Sequence, residues 1–188
     1  MSSFIGIYDN VISQKDCDIL ISYFEKSEQA PGRCVVSDGS HEIIPAMKMS
    51  KELCGCDLSK VDPVSTIIKS PLKLCLERYK KKYSNSLDSA NLCKWLYDDR
   101  YTFKKYATEY DGFKQWHTEH VPGALQRIGV WMFYLNNAKS GTEFMYYPNV
   151  RAKMGRCVIW PSGWTHMHRS QLPNKGLKYF ISGWFSYI

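Results

Sequence analysis

Residues 127–135 have the sequence RIGVWMFYL, a run of β-branched and aromatic side chains that ends at the pair Asn136-Asn137. Side chains of this kind favour strands, and asparagine favours turns. Four further runs of the same character lie in the C-terminal half, at residues 95–106, 142–147, 156–160 and 178–187. Several strands separated by short turns predict an antiparallel β-sandwich or barrel that begins at about Cys93.

Upstream of these runs, the apolar residues recur at helical spacing. Ser13 is a good N-cap for a first helix. The apolar positions that follow it have helical spacing: Cys17, Leu20, Ile21 and Phe24. A second helix is predicted from Asp62-Pro63, because proline suits the first helical turn. Pro71 is expected to kink or split that second helix, since proline removes a backbone donor from the helix interior.

A long segment between the two helices, residues 29–61, contains several glycines and prolines and shows little periodicity. We expect it to be irregular, and its part from residue 39 to 56 is a candidate lid over a site. At 188 residues the chain fits one domain, 1–188. Within it, residues 1–92 would supply helical support and the lid, and residues 93–188 the β-rich core.

The composition favours a folded globule, because 44% of the residues are apolar and 14% aromatic. No apolar run approaches the roughly 20 residues that cross a bilayer, and the first ten residues lack a secretory signal pattern. The seven cysteines are scattered and include no CxxC pair, which favours reduced thiols over a disulfide framework. These features predict a cytoplasmic location and no membrane partner.

The formal net charge is +7, and basic residues crowd the middle of the chain. They run as follows: Lys69, Arg78, Lys80, Lys81, Lys82, Lys104 and Lys105. Such a bias attracts anionic partners, including nucleic acid, but it is more often the solvated face of a helix. We interpret it as a solvated face.

Histidine is scarce, with five in the chain, and four of the five lie in the clusters WHTEH at 116–120 and WTHMH at 164–168. On a strand, residues two apart point to one side, so His117 and Glu119 would project together. A neighbouring strand would add His166 or His168, and strand parity does not separate these two. The simpler interpretation is that each cluster is a pair of half-buried histidines bonded to the backbone.

Two imidazoles and one carboxylate on one side of a metal form the facial triad of non-haem iron(II) oxygenases, which leaves positions open for a co-substrate and dioxygen. The same three ligands hold zinc in hydrolytic sites. Ligand type alone does not decide between these two metals. A third interpretation is a non-catalytic β-barrel interaction module in which the histidines hold a structural metal or none.

The order of motifs in the C-terminal half is more specific than either cluster. The motifs after His117-Thr118-Glu119 are, in order, Arg127, FYLN at 133–136, SGTEF at 140–144, Gly155, WPSGW at 160–164, Arg169, GLKY at 176–179 and Trp184. Over about residues 95–186, this order resembles the prolyl 4-hydroxylase-like branch of the Fe(II)/2-oxoglutarate-dependent dioxygenase superfamily, including its small bacterial and viral members. The resemblance implies a mainly β fold, the double-stranded β-helix or jelly roll, flanked by N-terminal helices.

The resemblance also implies which residues form the catalytic metal site: His117, Glu119 and His168. In that family the second histidine precedes by ten residues the cation that binds the 5-carboxylate of 2-oxoglutarate. His168 and Lys178 have this spacing, whereas His166 is two residues too far from Lys178. His166 is therefore expected beside the metal ligands or on the substrate side.

Two further assignments concern 2-oxoglutarate. A lysine at the start of a strand is usually solvated, but a buried dicarboxylate needs a paired cation. Lys178 is the expected cation and Arg169 its rival, which we expect to orient the loop or meet substrate. The family usually adds a tyrosine hydroxyl from upstream of the first ligand, and of Tyr106 and Tyr110 we choose Tyr106 as the second residue that binds the co-substrate.

Two positions depart from the family pattern. The carboxylate ligand is usually aspartate, whereas this chain has Glu119, whose extra methylene moves the oxygen outward and requires a compensating backbone shift. Relatives often have threonine at the position of Val130, so a hydrogen bond to the co-substrate is expected to be missing.

The function that the resemblance implies is hydroxylation of a peptidyl proline, with Fe(II), 2-oxoglutarate and O2 as cofactor and co-substrates and ascorbate as an accessory reductant. The partner would be a protein or peptide substrate. The alternatives are the same chemistry on another protein side chain or on a small molecule. Nucleic acid is the least favoured substrate, because the paired arginines of nucleic-acid demethylases are absent after His168.

Overall fold

The computed structural model describes residues 2–53, 56–84 and 95–187. Its helices are α1 Gln14–Lys26 and α2 Pro63–Lys82. Its strands are β1 Gly6–Tyr8, β2 Gln29–Pro31, β3 Cys34–Val35, β4 His41–Glu42, β5 Lys48–Met49, β6 Lys51–Leu53, β7 Trp95–Tyr106, β8 Gly112–Phe113, β9 Arg127–Tyr134, β10 Gly141–Phe144, β11 Val150–Arg151, β12 Arg156–Pro161, β13 His168–Ser170 and β14 Lys178–Tyr187. The expected change of pattern at Cys93 lies outside the described residues.

The five strands predicted from the aromatic and β-branched runs are present as β7, β9, β10, β12 and β14. A large antiparallel sheet has the order β1-β12-β9-β14-β7-β6-β2, and a smaller sheet has the order β11-β10-β13. The long strand β14 lies between β9 and β7 and pairs with both along most of its length. The prediction of an antiparallel β-rich C-terminal half is confirmed.

The large sheet is covered on both faces, and alternate residues of each strand belong to different cores. On the outer face, towards the helices, the buried side chains include Trp131, Phe133, Ile159, Ile181 and Phe185. On the inner face, which lines the space between the two sheets, they include Val130, Tyr134, Val158, Trp160 and Phe180. Burial of each such side chain contributes about 1.5–3 kcal/mol, so the two cores fix the register of the central strands.

Both helices begin where the sequence predicts. Ser13 caps α1 by accepting a hydrogen bond from the Asp16 backbone N–H at 3.1 Å. Asp62 caps α2 through a reciprocal pair of bonds with Ser65, and Pro63 occupies the first turn. Helix α2 runs through Pro71 as one element, so of the two expected effects, a kink or a split, the split does not occur. Neither helix is both long and apolar enough to cross a membrane, as far as the described residues extend.

The segment between the helices is less irregular than expected, because its described part contains five short strands. Strand β6 pairs with β2 and β7 and so extends the large sheet. Strand β5 pairs with β8, and β3 pairs with β4 as a separate hairpin. These strands are only two or three residues long, so tertiary pairing, which residue patterns do not encode, determines them. They place the segment beside the open end of the space between the sheets.

Candidate active site

Three side chains with metal-binding atoms meet beside strand β13. The ligand atoms of His117, Glu119 and His168 all lie within 4.8 Å of one another. His168 Nε2 is 3.3 Å from Glu119 Oε1, and His117 Nε2 is 3.8 Å from the same oxygen. The structure thus brings together the three residues that the sequence nominated as a metal site.

The backbone around these residues differs from the expected strand. His117 and His168 form an isolated antiparallel bridge with two N–H to carbonyl hydrogen bonds, of 3.1 and 3.0 Å. The Glu119 N–H donates instead to the Ser162 carbonyl at 3.1 Å. The expectation of a regular strand through His117 and Glu119 is wrong, because this segment pairs with β13 at a single residue. The local extended conformation still directs both side chains to the same place.

Each histidine has its second ring nitrogen held by a backbone carbonyl two residues upstream. His117 Nδ1 lies 3.0 Å from the Gln115 carbonyl oxygen, and His168 Nδ1 lies 3.0 Å from the His166 carbonyl oxygen. A carbonyl only accepts hydrogen bonds, so each Nδ1 carries the proton and donates. A ring without a proton on Nε2 then directs a lone pair towards Glu119 Oε1, and this is the tautomer that a metal ligand requires.

The carboxylate of Glu119 is held through its second oxygen. The Trp184 indole N–H donates a 2.8 Å hydrogen bond to Glu119 Oε2. The Arg127 guanidinium lies over the Trp184 ring at 3.6 Å, and its NH1 is 3.8 Å from the same oxygen. Oε2 is therefore anchored to the sheet, while Oε1 faces the two imidazoles.

The electrostatics of the cluster favour the protonation states that bind metal. Burial raises the pKa of Glu119, but the His168 hydrogen bond and the two imidazoles outweigh it, and the pKa lies below its ordinary value. Burial, together with the charge of His168, lowers the pKa of His117 to about 3 despite the opposing effect of Glu119. At neutral pH, Glu119 is ionised and His117 is neutral.

The spacing of the three groups fits one divalent ion. Nitrogen and oxygen ligands lie about 2.0–2.2 Å from such an ion, which places two ligand atoms about 3–4 Å apart. The 3.3 and 3.8 Å separations at Glu119 Oε1 fall in this range. Two imidazoles and one carboxylate leave further positions open on the metal, and these donors suit Fe(II) and Zn(II) alike.

Lys178 lies in the same pocket as the triad. Its side chain is only 2% exposed, and its ammonium donates one 3.3 Å hydrogen bond, to the Gly141 carbonyl. Within the described part of the chain, no carboxylate lies within ion-pair distance of this ammonium. Burial lowers the pKa of Lys178 to about 8, so the ammonium is mostly charged at neutral pH. A buried cation of this kind is costly unless an anion pairs with it.

The approach of Lys178 to the backbone depends on Gly141. A side chain at residue 141 would collide with the Val150 carbonyl oxygen on the neighbouring strand β11. Glycine therefore allows β10 and β11 to lie close together, and it leaves the residue-141 carbonyl oxygen facing the pocket beside Lys178.

Tyr106 is the residue opposite Lys178 in the pairing of β7 with β14. It is 2% exposed, and its hydroxyl oxygen accepts a 3.3 Å hydrogen bond from Ser170 Oγ. Burial raises its pKa, so the phenol keeps its proton. Because Ser170 is the donor in that bond, the Tyr106 O–H remains available to donate to a pocket ligand.

The rival residues have other partners or are exposed. His166 belongs to a short 3-10 turn before β13, and its Nε2 bonds to the Ser3 carbonyl oxygen at 2.8 Å, so its ring does not face the same way as that of His168. The His166 backbone carbonyl contributes to the site, because it accepts the hydrogen bond from His168 Nδ1. Arg169 is paired with Glu143, with its Nε 2.7 Å from the carboxylate. Tyr110 is 64% exposed.

Two features of the site were not predicted from the sequence. Trp184 holds Glu119 through its indole N–H. Thr142, on β10, lines the pocket and bonds to the Tyr134 hydroxyl at 2.6 Å, so this pocket has a threonine although Val130 replaces the expected one. Side chains alternate between the two faces along β14, so Trp184 lies on the same face as Lys178. This alternation could have predicted that Trp184 faces the site.

A larger pocket of about 590 Å³ opens outward from the triad. Its wall includes Lys104, Arg127 and Trp184, together with residues 47 and 48 of the segment between the helices. The interpretation of the basic residues as a solvated helix face holds for Lys80, Lys81 and Lys82, which are exposed. It is wrong for Lys104, because this residue lies on β7 and points into the space between the sheets.

The comparison with protein families gives one match. Residues 101–186 match the family described as the 2OG-Fe(II) oxygenase superfamily. The matched range contains the triad, Lys178 and Tyr106. No protein of curated function is matched by the sequence.

Solved structures show the same fold over nearly the whole chain. A Pseudomonas putida prolyl-4-hydroxylase has a TM-score of 0.67 at 12% identity, covering 98% of this chain and 93% of that one. A Trichoplax adhaerens prolyl hydroxylase in complex with a hypoxia inducible factor peptide fragment has a TM-score of 0.68 at 13% identity, covering 98% and 84%. The viral collagen prolyl hydroxylase of Paramecium Bursaria Chlorella virus-1, in its 2OG complex, has a TM-score of 0.55 at 16% identity, covering 98% and 97%. The predicted jelly-roll fold is confirmed.

Proposed function

The chain belongs to the 2OG-Fe(II) oxygenase superfamily through residues 101–186, and from this premise we propose that it hydroxylates a proline residue in a peptide or protein substrate. One observation carries the proposal. His117, Glu119 and His168 converge at one end of a pocket that also contains the buried Lys178, which has no carboxylate partner among the described residues. A metal site and an unpaired cation in one pocket match the two ends of a metal-chelating dicarboxylate.

In this proposal His117 and His168, through Nε2, and Glu119, through Oε1, would hold Fe(II). Bound iron with 2-oxoglutarate supplies the activation of O2: one oxygen atom enters the substrate C–H bond, and the other leaves in succinate as carbon dioxide is released. The Nδ1–H bonds to backbone carbonyls keep both imidazoles in the ligand tautomer. Trp184 keeps Glu119 from rotating away.

Lys178 would pair with the far carboxylate of 2-oxoglutarate, and the Tyr106 hydroxyl would donate a hydrogen bond to the same group. Pairing with an anion removes the cost of the buried ammonium, so co-substrate binding would stabilise the folded chain. Aromatic rings around the triad limit the access of water. The Phe113 ring stacks on His117 at 3.8 Å, and Trp160 contacts His168 edge-on at 5.1 Å.

The choice of a peptidyl proline rests on two supports. The solved structures with this fold include prolyl hydroxylases, and one of these is in complex with a peptide. The outer pocket, of about 590 Å³, is open to solvent beside the triad, which suits a segment of extended chain. Residues 47 and 48 form part of its wall, and we include the 39–56 segment in the proposal as a lid over the bound peptide.

The test is mass spectrometry of proline-containing peptides incubated with the protein, Fe(II) and 2-oxoglutarate in air. The expected result is a gain of one oxygen on proline, with one succinate formed for each oxygen gained. The control is His168→Ala, which should give neither product. Succinate formation without oxygen on any peptide would contradict the proline assignment while leaving the oxygenase chemistry in place.

A further inference from the structure

Lys104 is a second inward-facing lysine that the proposed chemistry does not use. It lies on β7, two residues before Tyr106, and pairs in register with Phe180 of β14. Its ammonium lies 5.7 Å from the centre of the Phe180 ring. Lys104 lines both the inner pocket with the triad and the outer pocket. It therefore occupies the boundary between the co-substrate and substrate spaces.

The neighbouring charges leave this ammonium without a full partner. Glu52, which is opposite Lys104 in the pairing of β6 with β7, binds Lys48 through Oε1 at 2.7 Å. The same oxygen accepts a 2.8 Å hydrogen bond from Ser50. Among the residues that the structure describes, none accepts a hydrogen bond from the Lys104 ammonium. Glu52 is thus the carboxylate neighbour of both Lys48 and Lys104, and its ion pair is with Lys48.

The other side of the outer pocket adds positive charge. The Arg127 guanidinium lies over the Trp184 ring and 3.8 Å from a Glu119 oxygen, and its Nε is buried without a hydrogen-bond partner in the described chain. A bound metal would take up the charge of Glu119. Burial and the like charge of Lys48 lower the pKa of Lys104 to about 8, so it remains mainly protonated at neutral pH. The wall of the outer pocket is therefore cationic.

We propose that Lys104 binds a carboxylate of the substrate, so that the preferred substrate is a peptide with an acidic residue next to the proline that is hydroxylated. This inference rests on the proposed function. Lys178, opposite Tyr106 and two residues farther from the outer pocket, already serves the co-substrate tail. Lys104 is a cation that lines both the pocket of the triad and the open outer pocket. It therefore favours a negatively charged group on the substrate that enters the outer pocket. A carboxylate of the substrate supplies the ion-pair partner for Lys104 that Glu52, bound to Lys48, does not provide.

The experiment measures peptide binding to the full chain loaded with Fe(II) and 2-oxoglutarate under anaerobic conditions, where no turnover occurs. The peptides are identical except for Glu or Gln at one position flanking a central proline, and the position is varied in turn. A charge-assisted hydrogen bond is worth enough for about a tenfold difference in affinity. At one position we expect the Glu peptide to bind about tenfold more tightly than the Gln peptide.

Two lysine variants assign this preference. Lys104→Met should remove the difference between the Glu and Gln peptides, and Lys104→Gln should do the same if the first variant folds poorly. Lys105→Met is the matched control, because it changes the net charge equally. Lys105 lies on the opposite face of β7 and pairs with Glu25 at 2.7 Å. The tenfold preference should persist in this control.

Three outcomes would overturn the inference. The first is an absence of any position where Glu is preferred, and the second is a preference that survives Lys104→Met. The third is a raised 2-oxoglutarate requirement for peptide-independent succinate formation in Lys104→Met, which would assign Lys104 to the co-substrate. If Glu and Gln peptides bind equally and both gain oxygen, the carboxylate site fails and the proposed function stands. If Lys104-dependent binding of acidic peptides occurs without oxygen gain, proline hydroxylation fails and the site stands.

Discussion

The two faces of the large sheet are built from the same strands and differ in what they contain. On β14 the outward residues Ile181 and Phe185 are buried against the helices, whereas the inward residues Lys178, Ser182 and Trp184 face the pockets. Polar groups on the inward face lie near one another and near the triad. On β14 the outward residues therefore belong to the packed outer core, and the inward residues, one position away along the strand, belong to the candidate site.

Substitutions at adjacent residues of one strand should therefore affect different quantities. An outward substitution should lower the free energy of unfolding and leave ligand affinities intact. Substitution of an inward polar residue should change metal or co-substrate binding with little loss of stability, or even with a gain.

The largest expected effect is that of His168→Ala. Removal of one of two imidazole ligands should reduce succinate formation to the background level, because the remaining His117 and Glu119 hold a metal poorly. The thermal midpoint should change little, since the imidazole faces the pocket rather than the outer core. Peptide-independent succinate formation and a melting curve provide the two measurements.

His166→Ala is the matched control for that variant. Its ring bonds to the Ser3 carbonyl and stacks on Tyr147 at 4.8 Å, away from the triad. This variant should retain metal binding and activity. Full activity in His168→Ala, or complete loss in His166→Ala, would reverse the assignment of the two histidines.

On the outer face, Phe133→Ala should have the next largest effect. The ring is 0% exposed, and truncation of a buried Phe to Ala costs about 3–5 kcal/mol. Urea unfolding monitored by tryptophan fluorescence measures this loss. At a temperature where the variant stays folded, its affinity for 2-oxoglutarate should equal that of the unmodified protein. A large fall in that affinity would show that the two faces are coupled.

Lys178→Met should move the two quantities in opposite directions. Loss of the ammonium leaves the far carboxylate of 2-oxoglutarate unpaired, so we expect the co-substrate requirement to rise about 100-fold. The free energy of unfolding of the ligand-free protein at pH 7 should rise by on the order of 2 kcal/mol, because a buried charge is replaced by an apolar chain. Lys178→Met with unchanged 2-oxoglutarate affinity would move the anchor to another residue.

The same lysine predicts a pH dependence of stability. The folded pKa of Lys178 is about 8, below the unfolded value of about 10.4. Between these values the unfolded chain binds more protons, so the free energy of unfolding should rise as the pH increases from 8 to 10. Lys104, whose pKa is also about 8, contributes in the same direction. Lys178→Met should therefore reduce this slope rather than abolish it, which denaturant titrations at several pH values would measure.

The sequence predicted the long strands well because they are rich in aromatic and β-branched residues and turn residues lie between them. Strands β7 and β14 have the predicted bounds. Lys104 was misinterpreted because a lysine within a strand usually faces solvent, and composition does not reveal that this sheet is covered on both sides. The segment through His117 and Glu119 makes a single bridge instead of a strand. Spacing to Lys178, rather than strand geometry, selected His168, whose role as a metal ligand is still a prediction.

The smallest expected effect concerns the positioning of Glu119 by Trp184. Trp184→Phe keeps an aromatic ring beside Arg127 but removes the N–H that holds Glu119 Oε2 at 2.8 Å. Loss of such a supporting bond typically weakens metal binding by 10–100-fold, and we expect about tenfold here because Arg127 remains close to the carboxylate. Anaerobic calorimetric titration with Fe(II) measures the change.

Trp131→Phe is the control on the outer face of the sheet, because the Trp131 indole N–H has no hydrogen-bond partner within the described chain. It should lower stability and leave the affinity for Fe(II) unchanged. A combination with Glu119→Asp sharpens the test. Aspartate withdraws the carboxylate by one C–C bond, about 1.5 Å, so it cannot both bind the metal and accept the Trp184 bond. Trp184→Phe should then have little further effect on Fe(II) affinity, and additive losses in the double variant would show that Trp184 acts on the site by a route other than Glu119.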